Sequence, residues 1–376
     1  RAPDLAALNA PGTQITGVGV DAFSADEPYG TADAFQRAAV FLESQEVYGI
    51  APLTHDITVA QAYLQHVLTM SAPEQRGERI VVCNLDVPTH QLDVLVASGF
   101  GNTIDASTTT LETGIANLDS LLQAAGIDAA ETLATEDGVF LDLATDAKHY
   151  SISAVNGSVI TIRTAFTAGT NDDSFYSTTV LDNPLVNVAF SIKIRGAELV
   201  LSDGTPDKDA IAVTVAQTNA SFGSRRFWST FPATCVANVG GVEKVIEGFY
   251  MNAGIVGTIA QQSPSQSLTN FPLTGYTQVP GSQGYFTERQ LDQMAGGGTW
   301  VIIQRAKGAA PVARHALTSD MSSVETRTDI VTKVVDYAAK FYRSTLRSFI
   351  GRYNITQAFL DTLGSVAQGI GQFLVD

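Results

Sequence analysis

The first quarter of the chain alternates short apolar runs with segments of helical periodicity. Ile15–Val20 is a β-branched run, and residues 31–48 place apolar side chains at the spacing of an amphipathic helix. Thr54 or Asp56 can cap a second such helix, because a short oxygen-bearing side chain accepts hydrogen bonds from the first free amides. Arg79–Leu85 (RIVVCNL) has the composition of a buried strand. This alternation predicts α/β units around a parallel sheet.

The middle of the chain follows the two-residue period of strands instead. Residues 139–166 consist of short β-branched segments separated by turn signals, and Asn156-Gly157 between two of them is a strong hairpin signal. We therefore predict a β-rich inserted domain over 96–209. The remaining segments, 1–95 and 210–376, then form a discontinuous α/β core in which helices flank a mixed sheet.

Helical and strand patterns return after the insertion. Residues 207–222 have helical spacing, and residues 285–294 predict a short helix capped by Thr287. Trp300–Gln304 (WVIIQ) has the composition of another buried strand.

The longest periodic segment lies near the C-terminus. Ser322 and Glu325 have the spacing of a capping box, Gly351 is suited to end the helix, and Asn354 to cap the next one. About 26 helical residues would extend roughly 39 Å. One side of this helix is apolar and carries Val331, Val334, Val335, Ala338, Phe341, Tyr342, Leu346 and Phe349.

The opposite side of the same helix is basic. Lys333, Lys340 and Arg347 lie seven residues apart, and Arg343 lies close to them. Asp329 and Asp336 each precede a lysine by four residues, a spacing that contributes a few tenths of a kcal/mol per pair, of the order of 0.3. Two interpretations stay open: a solvated face, or a docking strip for an acidic partner.

Composition narrows the class of protein. The chain has 376 residues, of which 45% are hydrophobic and 16% charged, which excludes intrinsic disorder and allows two or three domains. The net charge of −16 argues against nucleic acid as a partner, and no apolar run approaches the roughly 20 residues of a membrane span. Residues 1–150 carry 21 acidic and 5 basic side chains, whereas 300–376 carry 6 and 9. This asymmetry indicates either two surfaces with different partners or ordinary surface variation.

Familiar catalytic and cofactor motifs are missing from the sequence. It has no phosphate-binding loop, dinucleotide fingerprint, zinc-protease helix or nucleophile elbow. The histidines are scattered, and Cys83 and Cys235 have the surroundings of core or unassigned thiols. Asp203, Asp207 and Asp209 cluster in one turn, but a solvated loop explains them better than Ca²⁺. We expect no catalytic residues, no cofactor and no metal.

The C-terminal third resembles a known family in an ordered series of segments. These are a strand ending in Gln-Arg (Trp300–Arg305), an RHALTSD segment (Arg314–Asp320), a long helix with an internal aspartate (Asp336), and a GRYNIT turn (Ile350–Thr356). The series is similar to contractile-tail sheath proteins of bacteriophages and related contractile injection systems. Weaker matches lie at Ala253–Ala260, Ser263–Leu273, Val47–Thr54 and Ser71–Val82. The resemblance is dense over 210–376, weaker over 30–95 and absent over the insertion.

This resemblance implies a structural protein with a sheath-type α/β core. Such subunits polymerise as helical or stacked-ring homo-oligomers around an inner tail tube, and contract to drive the tube through the host envelope for genome ejection. The implied partners are further copies of the chain, the tube protein, the baseplate and the tail terminator, with neither nucleic acid nor membrane insertion. The implied location is the virion tail, assembled in the host cytoplasm.

The resemblance also assigns roles to parts of the chain. A helix near the tube carries basic residues against an acidic tube surface, which makes Lys333, Lys340, Arg343 and Arg347 the candidate docking residues. Terminal arms add strands to neighbouring subunits. No such arms are evident here, and the chain starts without Met and ends inside a helical or strand pattern, so we expect an excerpt of a longer chain or a processed form. The insertion is expected to face outward.

Two alternatives remain at this point. The first is a baseplate or tail-terminating structural protein built on a sheath-like core. The second is an enzyme or carbohydrate-binding module in the β-rich middle, where Tyr150, Phe166, Phe175 and Tyr176 supply aromatic side chains. Those aromatics alternate with β-branched residues as core residues do, which favours the structural interpretations.

Overall fold

The computed structural model describes residues 6, 9, 14–20, 32–101, 109–113, 115, 117–124, 138–143, 149–165, 188–239, 241–349 and 355–375. The chain divides into two compact units, the first made of Arg1–Val87 with Val215–Asp376 and the second of Pro88–Thr214. The sequence places the insertion at 96–209.

The described helices and strands follow in chain order. The helices are α1 (Ala32–Glu43), α2 (Ile57–Met70), α3 (Leu118–Ala124), α4 (Lys208–Phe222), α5 (Phe249–Gln261), α6 (Glu288–Gly296), α7 (Val324–Arg327), α8 (Asp329–Leu346) and α9 (Gln357–Val375), with a 3₁₀ turn at Arg347–Phe349. The strands are β1 (Gly49–Ile50), β2 (Ile80–Asn84), β3 (Val94–Gly101), β4 (Thr110–Glu112), β5 (Val139–Leu143), β6 (His149–Asn156), β7 (Val159–Ile162), β8 (Val188–Ile194), β9 (Phe227–Phe231), β10 (Thr234–Val239), β11 (Val242–Glu247), β12 (Tyr276–Gln278), β13 (Thr299–Ile303) and β14 (Val312–Ala313).

A mixed five-stranded sheet forms the centre of the first unit, in the order β1-β2-β9-β13-β14. The first four strands run parallel, and β14 is antiparallel to β13. Alternate residues of β2 point to opposite faces: Ile80 and Val82 join a core cluster with Trp228, whereas Val81 and Cys83 join the cluster beneath α1 and α2. Burial on both faces explains the unbroken apolar run in the sequence. The predicted α/β core with a mixed sheet flanked by helices is confirmed.

Local signals for helix starts are confirmed at two places. The Asp56 carboxylate accepts a hydrogen bond from the Thr58 amide at 2.7 Å and caps α2. Thr287 and Gln290 form a reciprocal capping box at α6. The β-branched run Ile15–Val20 is described without strand pairing.

The second unit contains a six-stranded antiparallel sheet in the order β3-β8-β5-β6-β7-β4. The predicted hairpin is confirmed: Asn156 pairs with Val159 across the turn, and Gly157 has φ of 62°. Leu118 and Leu122 of α3 are fully buried in the core cluster of this sheet.

A smaller sheet of the first unit has the order β11-β10-β12, with all pairings antiparallel. Within the described residues β11 lies at its edge, and Val242 and Val245 of that strand are exposed. An exposed edge strand offers unpaired backbone groups to another chain.

The long C-terminal helix differs from its prediction. Ser323, and not Ser322, caps α7 through a capping box with Thr326, and α7 is only four residues long. Thr328 then adopts an extended backbone, with φ of −103° and ψ of 139°, before α8 begins. The interruption divides the predicted helix in two and sets the orientation of α8 independently of α7. Gly351 and Asn354 lie outside the described residues.

Candidate functional site

The charged face of α8 points into the first unit, and its apolar face points outward. Asp329, Thr332, Lys333 and Asp336 are the buried residues of this helix. Helix periodicity places them on one side, together with the half-buried Lys340 and Arg343. The inner face is therefore polar, the reverse of the usual amphipathic arrangement.

The N-terminal turn of α8 holds a buried ion pair. Lys333 Nζ lies 2.8 Å from Asp329 Oδ2, and the side chains are 3% and 1% exposed. Lys333 also donates to the Gln266 carbonyl, while Asp329 accepts from the Ser267 hydroxyl at 3.3 Å and the Leu268 amide at 3.4 Å. Both charges are thus compensated by partners in the 266–268 loop. The ion pair that the i,i+4 spacing predicts between Asp329 and Lys333 is present, but both side chains are buried and not on the surface.

One turn further along α8, Asp336 makes a second buried ion pair. Arg226 donates to both carboxylate oxygens at 2.8 Å, and the Tyr48 hydroxyl donates to Oδ2 at 3.2 Å. Arg226 also donates to the carbonyl of Arg79 at 3.2 Å, just before β2. A bidentate arginine–carboxylate pair is the strongest ion-pair geometry in proteins. The contacts of Asp336 and Arg226 therefore join α8 to the start of β9 and to the segments before β1 and β2.

The burial of this cluster changes how its groups ionise. Burial raises the pKa of the Tyr48 phenol, and the adjacent Asp336 carboxylate raises it further, so the phenol stays protonated and donates. Burial alone would lower the pKa of Arg226, but the hydrogen bonds and charge of Asp336 outweigh it and raise that pKa. The pair therefore stays charged while buried.

A third contact ties the end of α8 to the sheet. Arg343 pairs with Glu78, whose side chain is buried, and Lys340 lies 5.4 Å from the centre of the Tyr48 ring. Burial raises the pKa of Glu78, but the hydrogen bond and charge of Arg343, a backbone hydrogen bond and the charge of Lys340 together outweigh burial, so the pKa lies below its usual value. Three successive turns of α8 are thus held by charge-assisted contacts within the first unit.

The four predicted docking residues have different environments. Lys333 is buried in its pair with Asp329, so a solvated face is wrong for this residue, and its role in docking stays a prediction. Lys340 and Arg343 are half-buried against Tyr48 and Glu78, and Arg347 is exposed. Periodicity predicts the two sides of α8 correctly, but it does not identify the buried side.

The apolar side of α8 is covered only in part, by α9, where the Tyr342 hydroxyl donates to the Ala367 carbonyl at 3.2 Å. Val334, Val335 and Tyr337 are exposed, and Phe341 is half-buried. The rings of Tyr337 and Phe341 stack, with centroids 6.1 Å apart. We call Val334, Tyr337 and Phe341 the outer stripe, because their spacing of three and four residues aligns them along the helix.

Sequence reasoning missed the partners that hold α8. Arg226 belongs to an Arg-Arg pair with no local signal, and Glu78 and Tyr48 lie in the distant first half of the chain. The one available signal was Asp336, the internal aspartate of the family-like motif, since an acid on the inner side of a helix requires a buried cation.

The other polar candidates have structural roles. Asp203 accepts from the Thr205 amide and hydroxyl within its own turn, and Asp207 accepts from the Asp209 and Ala210 amides at the start of α4. Among the described residues no group of three His, Cys, Asp or Glu could hold a metal ion.

The remaining candidates of the sequence are aromatic side chains and thiols. Tyr150 is buried in the core of the second unit, while Phe166, Phe175 and Tyr176 lie outside the described residues. Burial, with a smaller effect of Glu247, raises the pKa of the Cys235 thiol to about 12. In the part of the chain that the structure describes, no helix is both long and apolar enough to cross a membrane.

Comparison with known proteins identifies similar solved structures. No family model matches, and no curated protein matches. The fold is similar to that of a sheath tail protein from Desulfitobacterium hafniense, with 11% identity, a TM-score of 0.35, and coverage of 85% of this chain and 77% of that chain. A sheath tail protein from Listeria innocua gives 10% identity, a TM-score of 0.34, and coverage of 92% and 88%.

An assembled contractile particle is also among the similar structures. The helical sheath of the anti-feeding prophage in its contracted state gives 14% identity and a TM-score of 0.34, over 44% of this chain and 50% of that chain. These proteins belong to the class that the C-terminal motifs resemble. Because identities and TM-scores are this low, the function has to be argued from the chain's own residues.

Proposed function

We propose that this protein is a structural subunit of a contractile tail sheath, which polymerises around an inner tail tube and contracts to drive the tube through the host envelope. The observation that supports this best is the ordered series of sheath-like segments over 300–356. In the structure the first three of those segments, the strand, the RHALTSD segment and the helix, contact one another. Thr318 and Ser319 of the RHALTSD segment hydrogen-bond to α7 and to Ser224 and Phe227, and Asp336 binds Arg226.

These contacts suit a subunit that moves as a rigid body and performs no chemistry. The buried charges of α8 are engaged with partners in the same unit, so the helix is fixed at three places, to the 266–268 loop and to the residues just before β9 and β2. A body held in this way can rotate without internal rearrangement, and packed interiors transmit force with little compression.

The proposed partners are further copies of the chain, the tube protein, and the baseplate and tail terminator. The edge strand β11 is suited to accept a strand from a neighbouring copy, because main-chain hydrogen bonds supply affinity without a shaped pocket. A baseplate or tail-terminating role is the alternative. It predicts the same fold without extended self-assembly.

Electron microscopy of the purified chain at increasing concentration, alone and with its tube partner, tests the proposal. We expect hollow striated cylinders or stacked rings, because a sheath subunit self-associates through repeated contacts. A monodisperse monomer under every condition would contradict a sheath role and favour the baseplate or terminator. The same particles locate the insertion at 96–209: a tag placed at Gly157, in the exposed β6–β7 turn, should label their outside.

Docking to an acidic tube is proposed for the basic residues that retain some exposure, Lys340, Arg343 and Arg347. Reversing the charge of Lys340 and Arg347 together should weaken co-assembly with the tube and leave the subunit folded, because neither forms a buried ion pair with any residue that the structure describes. Co-sedimentation with the tube measures the effect, and circular dichroism controls for folding. Unchanged co-assembly would count against a docking role for this end of α8.

A further inference from the structure

A buried arginine lies beside a buried histidine at the point where the chain enters β2. Arg79 is 2% exposed, and His66, near the end of α2, is 9% exposed. Arg79 Nη1 lies 3.1 Å from His66 Nε2. Because a guanidinium only donates hydrogen bonds, the ring nitrogen that faces it has to accept one, and the imidazole is therefore neutral in this contact.

The other hydrogen bonds of Arg79 go to main-chain carbonyls. Its Nε donates to Gly77 at 3.0 Å, Nη1 to Leu42 at 3.0 Å and Nη2 to Gln45 at 3.2 Å. None of these acceptors carries a negative charge. A buried cation held by neutral acceptors is strongly destabilised when a second cation forms at hydrogen-bond distance.

Two charged groups of the described residues act on His66, and both come from other elements than α2. They are Arg79, just before β2, and the exposed Glu43 at the end of α1. The helix α2 itself has no charged side chain, and burial and a neighbouring thiol raise the pKa of its Tyr63 phenol to about 12, so the phenol stays neutral. Burial lowers the pKa of His66, the charge of Arg79 lowers it further, and the charge of Glu43 raises it by a smaller amount.

The two residues before β2 also hold α8. Glu78 pairs with Arg343 of that helix. The carbonyl of Arg79 accepts from Arg226 at 3.2 Å, and Arg226 forms the ion pair with Asp336. Two of the three charge-assisted contacts of α8 therefore involve the segment whose side chain at position 79 faces the histidine.

We propose that His66 and Arg79 form a pH-sensitive switch that loosens the attachment of α8 when the subunit is acidified. Protonation of His66 removes the acceptor and creates a second cation 3.1 Å from Arg79, so the guanidinium has to move away and the main chain that holds α8 moves with it. The inference does not depend on the proposed function, because all the residues involved belong to the first unit of one chain.

The direction of the pH effect follows from the proton balance of the two forms. In the open form His66 regains its ordinary pKa of about 6.5, whereas in the closed form its pKa is lower. Between these two values the open form binds more protons, so its population rises as the pH falls, by up to about tenfold for each pH unit. Glu78 has a pKa below its usual value and stays ionised in this range, so the histidine responds first.

Hydrogen exchange of the unassembled full chain, measured by mass spectrometry and corrected for the pH dependence of intrinsic exchange, tests the proposal. We expect the protection of the α8 amides to fall several-fold, and at most about tenfold, between about pH 6.5 and about pH 5.5. The helix α5 is the internal reference, because its buried residues pack on the opposite face of the sheet from α2. Unchanged protection of α8, or an equal loss in α5 and α8, would overturn the proposal.

His66→Gln identifies the group that titrates. Glutamine keeps an oxygen that can accept from Arg79 but does not ionise, so we expect the protection of α8 in this variant to be independent of pH over the same range. His90→Gln is the matched control, because it removes a histidine of the second unit whose side chain is 31% exposed, and it should respond as the wild type does. A wild-type response in His66→Gln would show that the switch does not depend on this histidine.

Glu43→Gln is a second variant that does not alter the buried pair, because Glu43 is exposed. Its negative charge favours the protonated imidazole, so removing that charge should move the response of α8 to lower pH. The same exchange measurement records the shift. An unchanged response, or a shift to higher pH, would mean that a different group titrates and would contradict the proposal even if His66→Gln failed to fold.

Discussion

Replacing Lys333 with glutamate is expected to lower the free energy of unfolding by at least about 3–5 kcal/mol, the range for breaking a buried ion pair. Lys333 is 2.8 Å from Asp329, and both side chains are almost fully buried. The variant would place two carboxylates in that site and leave the Gln266 carbonyl without its donor. Chemical denaturation, followed by tryptophan fluorescence of the buried Trp228 and Trp300, measures the change.

Arg347→Glu is the matched control for this prediction, since it makes the same charge reversal at an exposed position two heptads further along the chain. It is expected to change stability by no more than about 0.5 kcal/mol. Equal stability losses in the two variants would mean that Lys333 is not buried. A stable Lys333→Glu protein that no longer bound the tube would restore Lys333 as a docking residue.

Replacing Asp336 with alanine should also cost about 3–5 kcal/mol, because the guanidinium of Arg226 would remain buried without its counter-charge. Tyr48 would lose its acceptor at the same time. The effect is measured by denaturation at neutral pH, with Asp361→Ala on the exposed side of α9 as the control.

The double variant Arg226→Met with Asp336→Leu distinguishes two quantities: the destabilisation caused by an unpaired buried charge, and the net stability that the ion pair contributes. It should recover most of the stability lost in Asp336→Ala, because apolar residues of similar volume often replace a buried pair with little loss. If the double variant were as unstable as the single one, the hydrogen bonds to Tyr48 and to the Arg79 carbonyl would carry the stability instead.

The sequence predicts elements well where the signal is local. Asp56 and Thr287 cap their helices because the hydrogen bonds involved span only two or three residues. The Asn156-Gly157 turn is likewise decided by its own two residues. The sequence predicts the capping box of the C-terminal helix one residue too early, because only Ser322 has a glutamate at the spacing of the motif, whereas Ser323 caps α7 together with Thr326.

The candidate site was predicted only in outline. Family-like spacing singled out Asp336, and periodicity placed Lys333, Lys340 and Arg347 on one side of a helix. Arg226, the partner of Asp336, and Glu78, the partner of Arg343, are separated from those residues by more than a hundred positions, so no local pattern connects them.

By itself, the sequence determined the alternation of strands and helices, the β-rich middle, the local caps and turns, and the two-sided character of α8, because each depends on residues within a few positions of one another. Only the tertiary structure decided which side of α8 is buried. Periodicity is the same for a helix with its apolar or its charged side inward. The choice depends on whether the rest of the unit offers opposite charges and hydrogen-bond partners. Here Arg226 and Glu78 supply the charges, and the 266–268 loop supplies hydrogen bonds.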